Sequence, residues 1–256
     1  MNNEQIKICY FCGELATSKE HVPPQGLFPK KDIYRNNLIT VPSCTLHNNS
    51  KSTLDNKMLV FLSGVNKSVF HEKDFKEVRD RTIRAIVRDS TIFNDLTDEA
   101  RVFKRKDKRK ELIIPSTENI EAKIDFRQHS KYQESIIKAI YFHINNIPLL
   151  DELVIIPTSL ISLESKDNQT VENFNAAFGF DTFEIEVKKN LRTLSKNKVF
   201  QFKNESIGDL SIISVCLYGE YFFYGIYGGN EKMKAIRKIF SPSDNFEEFF
   251  IPAYKR

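Results

Sequence analysis

Residues 9–13 read CYFCG, and residues 44–51 read CTLHNNSK. Each stretch carries two metal-ligand residues with two others between them: Cys9 and Cys12 in the first, Cys44 and His47 in the second. Two thiolates at that spacing grip one tetrahedral ion from a tight turn, and the glycine that follows lets the backbone fold back past the sulfurs. The second pair completes a Cys3His set, which zinc accepts with Zn–S and Zn–N bonds of about 2.3 and 2.0 Å. The alternative is three packed cysteines and a surface histidine; the coincidence of knuckle, glycine and second pair argues against it. Structural Zn2+ is therefore expected here, stapling a segment that has little core of its own.

The surrounding composition fits a globular chain. It has 256 residues, 28% of them charged, and a net charge of +4, which permits nucleic-acid binding without demanding it. MNNEQIKI at the start has no apolar leader, and LSIISVCLY at 210–218 is too short to span a bilayer. A soluble, cytoplasmic protein with no membrane partner is expected. Four cysteines in a chain of this size do not make a disulfide framework. No P-loop and no G-x-G-x-x-G is present, so nucleotide-driven chemistry has no support.

Periodicity gives a coarse layout. Leu38–Val41 and the residues around His21 and Val22 read as two short strands, and the pattern turns helical from Ser43, with Gly64 as a stop. Residues 72–103 read as helical, with apolar positions at Phe75, Val78, Ile83, Ile86 and Val87. Residues 131–146 form the clearest amphipathic helix, with Ile137, Ile140, Tyr141 and Ile144 on one face and Tyr132 and Ile136 extending it. Strands are expected at Leu153–Pro157, Thr182–Val187, Lys198–Lys203, Ser211–Tyr218 and Tyr221–Tyr227, with a turn at Gly219-Glu220, and a short helix around Glu231–Phe240. The fold class is α+β. A zinc-stapled ββα module over residues 1–64 precedes a domain over 65–256 with a helical segment, a mostly antiparallel sheet and flanking helices.

Between the two ligand pairs stands TSKEHVPPQGLF, with Glu20-His21 before a Pro-Pro turn, and Asn37-Leu38 opens the second strand. Together with Cys44-x2-His47-Asn48-x2-Lys51, this order resembles the HNH endonucleases of the ββα-metal fold, over roughly residues 9–60. Members of that family carry an Asp-His or Glu-His pair before a proline, an Asn-Leu step, and a C-x2-C-[HN]-x2-K element at the helix start. His47 stands where many members have the fourth zinc cysteine. Asn48-x2-Lys51-Ser52 also looks like the corresponding stretch of the HNH domain in CRISPR-associated nucleases.

The resemblance implies a chemistry. Phosphodiester hydrolysis needs an activated water, a Lewis acid on the phosphate and a stabilised leaving oxygen. His21 would be the general base, since a histidine is neutral in part at pH 7. Glu20 and Asn48 would hold one catalytic divalent ion, and oxygen ligands suit Mg2+ or Mn2+. Asn37 would tie the loop that presents His21. Lys51, one turn beyond Asn48, would touch a phosphate. In another register His47 joins the catalytic ion, which leaves the zinc one ligand short.

Outside the motif, the basic run RVFKRKDKRK at 101–110 could lie along a nucleic-acid backbone through Lys104, Arg105 and Lys106, or form a solvated face beside Asp98, Glu99 and Glu111. His71, His129 and His143 have no partner at a recognisable spacing, and His143 reads as a core-edge residue. Cys216 and the aromatic run at 221–227 read as packed strand. The functional expectation is a metal-dependent endonuclease acting on DNA, with RNA left open, of the kind found in bacterial defence or mobile elements. The competing expectation is a non-catalytic zinc module that binds nucleic acid or protein.

Overall fold

A computed structural model describes residues 7–36, 38–49, 52–65, 73–89, 91, 101–104, 118–121, 126–156, 199–219, 221–229, 231–234, 236 and 250–251. The chain is α+β: an N-terminal β-hairpin with a Cys/His cluster, then helices, then an antiparallel sheet.

Strands β1 (Ser18–Val22) and β2 (Ile39–Ser43) pair antiparallel, with Glu20 opposite Val41 and His21 opposite Thr40. Alternation sends Glu20 and Val22 inward and leaves Lys19 and His21 exposed. The connection between the strands holds two short 3-10 turns, Gln25–Leu27 and Asp32–Tyr34. It is tied down by Arg35, whose Nε donates to the Pro29 carbonyl at 2.9 Å, and by Arg81, whose Nη2 donates to the Phe28 carbonyl at 2.9 Å. Helices α1 (Thr45–Asn49) and α2 (Ser52–Val65) follow directly.

Helix α3 covers Lys76–Arg88 only. The expectation of helix across 72–103 is thus corrected: Asp89 is extended, and Arg101–Lys104 forms strand β3, paired antiparallel with β4 (Glu118–Glu121). Of the apolar positions named for this stretch, Phe75 is buried and Ile86 half-buried. Val78, Thr82 and Ala85 are buried, whereas Ile83 and Val87 are exposed. The apolar residues of α3 span more than one face, and packing against α2 selects the face on which Thr82 receives a hydrogen bond from or gives one to Ser63, at 2.8 Å.

Helix α4 (Phe126–Asn145) is the centre of the molecule. Every residue from Tyr132 to Ile140 is buried, the polar Gln133, Glu134, Ser135 and Lys138 included. A helix buried all round lies between two layers. One side meets β2 and α2; the other meets the sheet of β5 (Leu153–Ile156), β6 (Phe200–Ile207), β7 (Leu210–Leu217), β8 (Tyr221–Gly228) and β9 (Phe250–Ile251). The strand order is β6-β7-β8-β5-β9, antiparallel throughout. Phe223, Val215 and Ile213 face α4. Phe222, Tyr224, Cys216 and Ile226 face the opposite layer, where Met233 and Ile236 cover them. Both faces are covered, so β8 reads as a continuous apolar run. The helix comes close at Gly225, where a Cβ would stand 2.6 Å from Ile137 Cγ2.

One buried cluster runs from Cys9, Tyr10 and Val22 through Ile136 and Ile140 to Leu217 and Phe223, so the hairpin and the sheet share a core through α4. The strand expected at Thr182–Val187 lies outside the described residues, as do His71, Asn37, Lys51, Arg105 and Lys106. Among the described residues, no helix is long and apolar enough to cross a membrane.

Candidate metal centre and the hairpin it closes

The Cys9–Gly13 turn is a knuckle. The Gly13 N–H donates to the Cys9 carbonyl at 2.9 Å, and the Cys9 N–H donates to the Glu14 carbonyl at 2.7 Å. Gly13 takes φ +79°, a left-handed conformation that a side chain makes costly. The Tyr10 N–H donates to the Pro42 carbonyl at 2.9 Å, and the Thr17 N–H to the Ser43 carbonyl at 3.0 Å. These bonds sew the knuckle to the end of β2, where Cys44 sits at the junction with α1.

Cys9, Cys12, Cys44 and His47 therefore converge, with all four ligand atoms within 4.8 Å of one another. Cys12 Sγ lies 3.9 Å from Cys44 Sγ, and His47 Nδ1 lies 3.8 Å from Cys9 Sγ and 3.2 Å from Cys44 Sγ. A zinc tetrahedron has edges of about 3.8 Å between sulfurs and about 3.5 Å between sulfur and nitrogen, from bond lengths of about 2.3 and 2.0 Å. These three separations are close to such edges, and the cysteines are free rather than disulfide-bonded. The cluster is consistent with a structural Zn2+ held by three thiolates and one imidazole.

The electrostatics agree. Burial raises the Cys9 pKa, but hydrogen bonds from His47 and from the backbone N–H groups of Cys12, Cys44 and Phe11 outweigh it and bring the thiol down to about 6. Cys12 is pushed up to about 12, first by burial and then by its neighbour Cys9. Adjacent thiols cannot all ionise alone, and a dication among them removes that repulsion. Phe11 supports the ligand shell: its ring stacks on His47 with centroids 4.4 Å apart, and Lys138 Nζ stands 4.2 Å from its centroid. Lys138 is itself paired with Glu134 at 2.8 Å inside the core. The Lys138–Phe11 contact could not be read from sequence, because Lys138 lies 127 residues downstream of Phe11.

The structure distributes the residues of the HNH-like motif over two faces. His21 is exposed, and its Nδ1 is 3.1 Å from Thr40 Oγ1 across the hairpin. Glu20 is buried on the opposite face of β1, where the Tyr10 hydroxyl donates to its Oε1 at 3.5 Å. Asn48 Nδ2 donates to Ser18 Oγ at 2.9 Å, and Ser18 shares the Glu20 face of the strand. Glu20 and His21 thus lie on opposite faces of β1. Lys104 ends β3, opposite Glu118 in the register.

Three residues near the motif escaped the sequence reading: Thr40, Ser18 and Tyr10. Cross-strand register selects the first, and the docking of α1 and of the knuckle selects the others. His129, which has no partner at a recognisable spacing in sequence, meets the Tyr221 hydroxyl through Nε2, and that hydroxyl also accepts from Gln133 Nε2 at 2.6 Å. His143 is exposed rather than at the core edge. In comparisons with known proteins, no family model, no curated protein and no solved structure matches the chain.

Proposed function

We propose that the chain is a metal-dependent endonuclease of the HNH class that hydrolyses DNA phosphodiester bonds, with His21 as the general base. The observation that carries this reading is the exposed His21, oriented by Thr40, on a hairpin closed by a Cys3His cluster. In the tautomer that donates Nδ1–H to Thr40 Oγ1, Nε2 carries the lone pair. That atom can take a proton from an attacking water, and Thr40 holds the ring while it does so. Mg2+ or Mn2+, when bound, would polarise the phosphate; Glu20 and Asn48 are the ligands the motif order assigns to it. The zinc cluster has the separate task of fixing β1, β2 and α1. Lys51 and the run from Lys104 to Lys106 are proposed phosphate contacts.

A second reading rests on a specific observation. Glu20 and His21 face opposite sides of β1, which favours a zinc module that binds nucleic acid or protein without cleaving it. One experiment separates the two. Wild type and His21→Ala are incubated with supercoiled plasmid, with and without Mg2+ or Mn2+. The nuclease reading expects ion-dependent nicking by wild type and a loss of at least about a hundredfold in the variant. Equal nicking by both, or none by wild type, overturns it. If nicking is ion-dependent, Glu20→Gln tells whether the ion uses that carboxylate.

A further inference from the structure

The Cys9–Gly13 knuckle does not stand alone; it lies on α4. Phe11, between the two knuckle cysteines, stacks on His47 with centroids 4.4 Å apart, and the same ring has the Lys138 ammonium 4.2 Å from its centroid. Gly13 faces the connection that follows α4: a Cβ there would stand 3.5 Å from Pro148 Cγ and 3.9 Å from Leu150 Cδ1. Tyr10 is fully buried in the core that the hairpin and α4 share. Beside Phe11, Lys138 pairs with Glu134 at 2.8 Å, and their side chains are only 4% and 8% exposed. Neither belongs to the Cys3His set. Desolvating two charges can exceed what their attraction returns, and an apolar pair of similar volume is often the more stable arrangement. The covered state of α4 therefore carries a standing cost, which water would remove if the knuckle lifted.

We propose that the metal centre works as a clasp on α4: bound zinc holds the knuckle over Glu134 and Lys138, and loss of zinc lets the knuckle lift and this stretch of the helix hydrate. Phe11 is the positioning residue, since one ring touches both the ligand His47 and the cation Lys138. Two opposing contributions set the balance. Coordination by four ligands favours the closed state. Rehydration of the buried pair favours the open one. The sheet stays folded in both, because β7 and β8 keep their ladder and their second cover, Met233 and Ile236. Closure and metal binding are then reciprocal, and whatever favours the closed state tightens zinc by the same factor. The charges at 134 and 138 are what make the covering of α4 depend on the metal. An apolar pair at these positions would hold the knuckle down with or without it.

The clasp rests on the zinc reading of the cluster and is independent of cleavage. It is tested by hydrogen–deuterium exchange with mass spectrometry on the full-length protein, zinc-loaded and after zinc is removed by a chelator. The amides of residues 132–142, none of which belongs to a metal ligand, are expected to exchange at least about tenfold faster without zinc, while β7 and β8 keep their protection. A second measurement is zinc affinity by chelator competition. Glu134→Leu combined with Lys138→Met is expected to tighten zinc at least about fivefold; Lys138→Met alone, which leaves a buried carboxylate unpaired, is expected to weaken it at least about tenfold. Phe11→Ala is expected to raise exchange over 132–142 with zinc still bound, and Phe11→Tyr to restore protection. In wild type, a change confined to the knuckle and hairpin overturns the clasp without any variant having to fold. Loss of protection in β7 and β8 along with α4 overturns it too, because zinc would then hold the whole fold. So does a double variant that binds zinc no tighter than wild type. A wild-type protein that takes up no zinc sinks the zinc reading and the clasp together, and leaves the nuclease reading to its own assay.

Discussion

His47 presents Nδ1 to the sulfurs of Cys9 and Cys44 while its ring lies against Phe11, so the imidazole is both candidate ligand and packing element. Replacing it tests the coordination directly. His47→Ala and Cys12→Ser are expected to lose stoichiometric zinc on metal analysis and to lower stability by a few kcal/mol, read as an earlier denaturant midpoint. His47→Cys, which restores a fourth tetrahedral ligand, is expected to keep the metal. Retention of zinc by the alanine variant would remove His47 from the site. The ligand residues were legible because their spacing is local: two ligands three residues apart reach one ion from a single turn. The partner of His21 was not legible, since Thr40 is nineteen residues away and only strand register puts it alongside.

At the scale of elements, the two-residue period of β1 decides what adjacent residues can share. Glu20-His21 is contiguous in the sequence and divided in space, one side chain in the core with Tyr10 and the other in solvent. The amphipathic reading of 131–146 found Ile136, Ile137 and Ile140, which are buried. It missed that the polar positions Gln133, Glu134 and Lys138 are buried as well, because the second covering layer comes from the hairpin. The contact of α4 with β8 at Gly225 gives a second prediction. Gly225→Ala should destabilise by about 1–3 kcal/mol through overpacking against Ile137. In a double-mutant cycle by denaturant unfolding, Ile137→Ala should cost less in the Gly225→Ala background than alone. Strict additivity would mean that helix and strand do not meet there. The β7–β8 turn adds a tie of another kind: Tyr218 has φ +56°, and its hydroxyl donates to the Leu27 carbonyl in the hairpin connection.

At the scale of the whole molecule, buried His129 links stability to pH. It sits among α4, β8 and α2, with the Phe61 ring edge-on at 4.4 Å, and burial lowers its pKa to about 4. The unfolded chain, with an ordinary histidine pKa of about 6.5, binds more protons between these values. Stability therefore falls as pH drops from about 6.5 toward about 4, by on the order of 3 kcal/mol from this residue. Unfolding of the zinc-loaded protein across that range, compared with His129→Gln, should show a smaller pH dependence in the variant. Identical slopes would show that His129 is not buried neutral. Because one cluster joins the hairpin to the sheet, that loss is expected to appear in a single transition rather than in the sheet alone.

The α+β character, the Cys3His ligand set and most element positions were legible in local sequence, because ligand spacing and hydrophobic period are properties of short stretches. The rest came from long-range packing. It set Glu20 and His21 on opposite faces, gave His21 its Thr40 and His129 its Tyr221, ended α3 at Arg88, and opened a cavity between β2, α4 and β6. Each of these depends on which surfaces cover one another, and coverage is set by segments far apart in the chain.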